Sequence, residues 1–271
     1  KLGEEVARKH RQDVMQKYAI EVPRSKDYPL RKFQEKRDDL DGQIGYGKGS
    51  MVFHMLRQIV GKDQFFVILR RFAKQYEGKQ ASWEDLQKVF EEGSGKRFSR
   101  FFSQWLDRPG GPQLKLANVG VRPSPKGYSV SGEVVQEGEI YEGQVKVKVE
   151  SSERERDFLL DISRRKTAFS FEVQRLPLTV TLDPEGHIFR RLSPEEIVSG
   201  LNVLLEDREK VFVIPDRGEE ESRKIYLELA TMAKERKGGE ILKSKELTEE
   251  KLRHSSLMLL GESWKEPVFS K

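Results

Sequence analysis

Hydrophobic positions recur along the chain with three different periods. From Lys1 to about Arg108 the spacing is helical. Met51, Val52, Met55, Leu56 and Ile59 fall on one face of one helix. Phe65, Phe66, Leu69, Phe72, Ala73 and Tyr76 line a face of the next, after a break at Gly61. Ser82 predicts the N-cap of a third helix, with Asp85 three residues on completing a capping-box pattern. Leu86, Val89 and Phe90 are its expected buried stripe and Gly93 its expected stop. Phe98, Phe101, Phe102, Trp105 and Leu106 give a fourth segment an aromatic face, a core pattern rather than a cofactor box. Pro109-Gly110-Gly111-Pro112 ends the zone, because neither Pro nor Gly continues a helix well.

From Gln113 to about Arg191 the period falls to two. Leu114 and Leu116 alternate with polar residues. The same holds for Val145, Val147 and Val149, for Phe169, Phe171 and Val173, and for Leu178, Val180 and Leu182, with turn signals between the runs. Short strands at this spacing predict an antiparallel β-sandwich. From Leu192 onward strand and helix patterns alternate. Ser193-Pro194-Glu195-Glu196 opens an expected helix carrying Ile197, Leu201, Leu204 and Leu205. Lys210 to Ile214 reads as a buried strand, and Glu219 to Arg236 as an amphipathic helix through Ile225, Leu229 and Met232. Glu240 to Lys243 and Ser256 to Leu260 are further strand candidates, giving a small α/β unit with a parallel sheet as the default. The three periods together predict a multidomain α+β chain, divided as 1–112, 113–191 and 192–271.

Composition narrows the function classes. Of 271 residues, 36% are apolar and 35% charged, so each domain is expected to be small or to have a large wetted surface. No apolar run is long enough to span a membrane. The net charge of +5 would permit polyanion binding. Yet bases alternate with acids almost everywhere, as in Glu153-Arg154-Glu155-Arg156-Asp157, which reads as a solvated strand edge. Nucleic acid is therefore not an expected partner. Cysteine is absent, which excludes disulfides, Cys-ligated zinc and thiol catalysis. Residue 1 is Lys and the first residues already look helical, so the chain is expected to begin inside a domain and its compartment cannot be read from its start. The alternating pattern also looks unfinished at Lys271, which suggests truncation there too.

One ordered set of motifs is more specific. Gly45-Tyr46-Gly47-Lys48-Gly49-Ser50, running into Met51-Val52-Phe53-His54-Met55-Leu56-Arg57, resembles the Tyr-x-Lys-Gly segment of the aminopeptidase N-like zinc metallopeptidases. Gly61-Lys62-Asp63-Gln64-Phe65-Phe66, Leu69-Arg70-Arg71-Phe72, Ser82-Trp83-Glu84-Asp85-Leu86, Phe90-Glu91-Glu92-Gly93 and Phe101-Phe102-Ser103-Gln104-Trp105-Leu106 resemble the helices that follow. The likeness covers Asp39 to Leu116 and fades beyond it. It implies that 1–112 is the helical C-terminal end of a thermolysin-like catalytic domain, whereas 113–191 fits a β-sandwich by its pattern only and the small α/β domain at 192–271 matches nothing in that family. It also implies a parent enzyme that removes amino-terminal residues from peptides with zinc. That family binds zinc through His-Glu-x-x-His and a further Glu, and holds the substrate amino terminus with Gly-x-Met-Glu-Asn. Its Tyr donates a hydrogen bond to the tetrahedral oxyanion, a contribution of about 10²–10³ in rate. The matching residue here is Tyr46.

The departures from that pattern are equally specific. The four histidines, His10, His54, His187 and His254, never form His-Glu-x-x-His, and Gly-x-Met-Glu-Asn is missing. His54, beside core positions in a helix, reads as a packed or helix-surface residue. In family order both missing motifs would precede residue 1, so no bound zinc and no activity are expected from this chain alone. The competing possibility is a non-catalytic interaction region of a peptidase-like protein. A catalytic domain cut upstream also predicts wet apolar side chains, with Met51, Phe53, Met55 and Phe66 as candidates, and self-association through them. Lys48 and Gly49 are expected to serve a tight start to the helix, and Pro215-Asp216-Arg217-Gly218 to be a structural turn.

Overall fold

The helical period resolves into α1 (Glu4–Glu21), α2 (Asp39–Gly42), α3 (Gly49–Val60), α4 (Lys62–Gln75), α5 (Trp83–Ser94) and α6 (Ser99–Leu106), in a computed structural model that describes residues 3–197, 207, 209–265 and 269. The start of α5 is fixed locally. Ser82 Oγ accepts the Asp85 amide at 3.1 Å while the Asp85 carboxylate accepts the Ser82 amide at 2.9 Å, so two backbone donors that would otherwise be orphaned are satisfied. The helix stops at Gly95, in the left-handed region at φ 69°, and not at Gly93 as the sequence suggests. Gly93 serves packing instead. A Cβ placed there would lie 2.6 Å from Ile68 Cγ1 on α4, so its missing side chain lets the two helices approach.

The face of α4 is also shifted from expectation. Phe65 and Ile68 are buried, whereas Phe66 and Ala73 face water. Met51 and Met55, expected to be wet, are 1% and 6% exposed, and Phe53 is half-buried. Of the four candidates for an open apolar face, Phe66 alone is exposed, because the helices of this region cover one another around Leu56, Phe90 and Trp105.

The period-two region forms two three-stranded antiparallel sheets. One has the order β1 (Gln113–Ser124), β2 (Gly127–Glu137), β5 (Lys166–Val173). The other has β4 (Glu155–Ile162), β3 (Gly143–Ser151), β6 (Pro177–Leu182). Alternation sorts the side chains. Val145, Val147 and Val149 are buried, while Lys146 and Lys148 between them pair with Asp157 and Glu155 on the edge strand β4. The charged run at Glu153 to Asp157 is thus a solvated strand edge, as expected. The rings of Phe158 and Phe171 stack at 4.0 Å and connect the two sheets. Sheets and helices share one core, in which Trp105 packs against Tyr141 at 5.0 Å and Phe189 at 6.3 Å between ring centroids. Lys1–Glu196 forms one compact unit on this core, and Ile197–Lys271 forms another.

In the second unit β7 (Val211–Ile214) is central in a parallel sheet of order β8-β7-β9, with β8 at Glu240–Lys243 and β9 at Leu257–Leu259. Its residues are buried on both faces, which accounts for an unbroken apolar run. Helices α7 (Glu220–Lys237) and α8 (Glu249–His254) make the crossovers. The buried stripe of α7 is Ala230 with Tyr226 and Ala233, while the predicted Ile225, Leu229 and Met232 are exposed. The segment Pro194–Glu196 is a single 3-10 turn, and Leu201, Leu204 and Leu205 of the expected helix lie outside the described residues. Among the described residues no helix is long and apolar enough to cross a membrane.

Candidate functional site

Tyr46 sits on a short π-helix, Gln43–Lys48, wedged between α2 and α3. A π turn holds one residue more than an α turn and recurs at functional sites, where it re-aims a side chain. The local sequence sets up this geometry. Asp38 caps α2, accepting the Asp41 amide at 2.8 Å. Asp41, 4% exposed, accepts the Tyr28 hydroxyl at 2.5 Å and Arg37 Nε at 3.1 Å. The hydrogen bond from Tyr28, aided by Arg37, holds the Asp41 carboxyl below the usual carboxylate range. Burial and this same bond push the Tyr28 phenol up. Gln43 Nε2 reaches Glu21 at 3.0 Å and ties the π-helix to α1.

The ring of Phe33 decides where Tyr46 points. Gly45 lies directly under it, and a Cβ at that position would be 2.3 Å from Phe33 Cε2. Only glycine allows the aromatic ring to lie so close to the backbone. Phe33 then meets Tyr46 edge to face, with centroids 5.4 Å apart and planes at 72°. Tyr46 is 62% exposed although Ile44, Gly47, Lys48 and Gly49 around it are buried. The result is a phenol presented to solvent from a braced ring on a packed backbone.

Lys48 departs from expectation. It does not merely start the helix but is fully buried, and Nζ donates to the Arg108 carbonyl at 2.7 Å. Burial lowers its pKa to about 8, with Asp27 acting in the opposite sense. A Cβ added at Gly49 would meet nothing within 4 Å, so the glycine that a close approach requires here is Gly45.

The structure brings two of the histidines together. His54 Nε2 on α3 lies 3.0 Å from His187 Nδ1 beyond β6, their rings stacked at 17°, and Gln58 Nε2 is 2.9 Å from the same His187 nitrogen. His10 is exposed on α1, and His254 closes α8. Among the described residues no group of three or more His, Cys, Asp or Glu side chains could hold a metal ion, so these residues do not fit a zinc centre.

Residues 2–105 match the Peptidase family M1 domain. The helical region is M1 aminopeptidase-like. Aminopeptidase N of Lactococcus lactis is 36% identical over 79 residues, 29% of this chain and 9% of that protein. Tricorn protease-interacting factor F2 of Thermoplasma volcanium is 31% identical over 80 residues, 30% of this chain and 10% of that protein. The leucyl aminopeptidase of Saccharolobus solfataricus is 27% identical over 139 residues, 51% of this chain and 17% of the relative. Among solved structures, Legionella pneumophila aminopeptidase A in complex with aspartic acid matches 65% of this chain and 21% of its own, at 22% identity and a TM-score of 0.47. The chain thus aligns with a small part of each of these proteins. Phe33, the ring against Tyr46, is not singled out in the sequence, and the burial of Lys48 is not expected there. Phe33 is remote along the chain, and a lysine is expected at the surface.

Proposed function

We propose that this chain is part of a zinc-dependent aminopeptidase acting on the amino-terminal residues of peptides, and that Tyr46 is its oxyanion donor. Residues 1–112 would then be the helical end of a thermolysin-like catalytic domain and 113–191 a β-sandwich behind it. The observation that carries the proposal is the exposure of Tyr46, 62%, on a π-helix whose neighbouring residues are buried. A ring braced by Phe33 loses little further freedom when its hydroxyl meets a ligand.

The chemistry is acyl transfer to water. When the peptide carbonyl becomes tetrahedral, its oxygen takes up negative charge. A fixed neutral O–H aimed at that oxygen stabilises the transition state more than the planar ground state. The zinc implied by the resemblance would polarise the carbonyl and would be held by residues other than those described, since these offer no metal cluster. The chain alone is therefore expected to bind no stoichiometric zinc and to cleave no aminoacyl substrate.

The test is Tyr46→Phe in the full-length protein that carries this chain. Loss of a donor used in the transition state lowers kcat by about 10²–10³ while KM stays within about twofold. Unchanged turnover would remove the oxyanion role.

A further inference from the structure

Tyr46 and Lys48 are two residues apart on a helical backbone, which puts their side chains on nearly opposite sides. One is 62% exposed and the other fully buried. The outward phenol and the inward amine are thus two ends of one short lever.

The inward end is held by a fixed partner. Lys48 Nζ donates to the Arg108 carbonyl at 2.7 Å and lies 5.9 Å from the centroid of the Phe189 ring. Arg108 lies in the loop that leads from α6 into β1, and that loop is pinned from several directions. Tyr141 donates its hydroxyl to the Pro109 carbonyl at 3.2 Å, and the Arg191 amide donates to the Pro112 carbonyl at 3.0 Å. Gly111 lies under the Phe189 ring, where a Cβ would come within 2.9 Å. Arg191 in turn pairs with Asp27 at 2.9 Å, and Tyr18 donates to the same carboxylate at 2.8 Å.

Packing alone does not call for a lysine here. A methionine has a similar length and would fill the space without stripping an ammonium of water, which is costly where, among the described residues, its bond is to a carbonyl and not to a carboxylate. The amine does what a methionine could not, which is to bond the π-helix to a carbonyl outside it. A π turn is rare and short within helices, and this one has an external hold in that bond. An oxyanion donor also demands accurate placement, since an error of about 1 Å can cost about 10²-fold in rate.

We propose that Lys48 is a positioning residue which, through the Arg108 carbonyl, fixes the π-helix that aims the Tyr46 hydroxyl, a role resting on the oxyanion function assigned to Tyr46 above. Lys48 touches no substrate and acts only through Tyr46.

A double-mutant cycle in the full-length protein tests this, with Lys48→Met, Tyr46→Phe and the double variant, and with Lys48→Gln as a second variant that keeps a donor. K48M lowers kcat about tenfold or more with KM within about twofold, K48Q lies between K48M and wild type, and K48M in the Tyr46→Phe background costs less than about twofold. Equal losses in both backgrounds, or no loss in either, would overturn the positioning role while leaving the oxyanion role intact. An unaffected Tyr46→Phe enzyme would overturn the oxyanion role and the positioning role together. Amide exchange of the 271-residue chain supplies a readout independent of activity. K48M speeds exchange in the Gln43 to Ser50 segment and leaves α5 and β2 unchanged. Uniformly faster exchange would mark Lys48 as an ordinary core residue and contradict the proposal, and should K48M not fold, K48Q carries both comparisons.

Discussion

His54 Nε2 and His187 Nδ1 lie 3.0 Å apart, joining α3 to the chain beyond β6 across 133 residues of sequence. Two imidazoles can share one hydrogen bond at that distance when both are neutral, one donating and one accepting, but not when both are protonated. The surroundings favour the neutral forms. Burial, together with the charges of Arg11, His187 and Arg57 and against the opposing Glu4, lowers the His54 pKa to about 4. Burial and the charges of Arg11 and Lys146 lower His187 as well, against Glu185 and Glu4.

Acid should therefore loosen this join. A histidine whose folded pKa lies below its unfolded value contributes stability that is complete above about 6.5 and is lost as pH falls through the folded pKa. His54→Gln removes that titration. Between pH 7 and 5 the wild-type chain should lose about 2–4 °C more in melting temperature than the variant, roughly 1 kcal/mol after allowance for partial exposure. Equal acid sensitivity in the two proteins would show that the pair does not titrate as described.

Gly93 offers a test of helix packing. In an exposed helix, Gly→Ala gains about 1 kcal/mol. Here the added Cβ meets Ile68 Cγ1 at 2.6 Å in a buried contact, and overpacking of this kind costs about 1–3 kcal/mol. Gly93→Ala should lower the denaturant midpoint, and in an Ile68→Ala background the same change should cost less or become favourable. A stabilised single variant would mean that α4 and α5 are not in contact there.

The α5 capping box provides a local control. Ser82→Ala leaves the Asp85 amide without its acceptor, and loss of such a cap costs about 1 kcal/mol. Chemical denaturation should show a lower midpoint with an unchanged slope. A change in slope would point to an altered denatured state rather than to the cap.

Legibility followed the range of each interaction. The Ser82 and Asp85 box was readable because both partners lie within one turn. The strands were readable because a sheet with one dry face repeats every two residues, as at Val145, Val147 and Val149. The face of α7 was not, because its small Ala230 and Ala233 pack on the sheet and leave the larger Ile225, Leu229 and Met232 outside. Bulk suggested burial, whereas close approach of helix to sheet favoured alanine. The sequence pattern puts the stop of α5 at Gly93, but the stop is Gly95, because Gly93 is taken up by its close approach to Ile68 on α4. At the site, Tyr46 could be picked out by its motif. The ring of Phe33 could not, since it arrives through two 3-10 turns, and neither could the burial of the motif's Lys48, which bonds to a carbonyl 60 residues away.

The central claim is that the Tyr46 hydroxyl serves the tetrahedral oxyanion and not the ground-state peptide. The most direct measurement compares inhibitor affinities of the full-length wild-type protein and its Tyr46→Phe variant. One inhibitor is a phosphinic peptide, whose tetrahedral anionic phosphorus mimics the intermediate, and the other is a planar, uncleaved amide of the same side chains. The account predicts that the variant loses about 10²–10³ in affinity for the phosphinic peptide and less than about threefold for the amide. Equal losses for both inhibitors, or none for either, would contradict it.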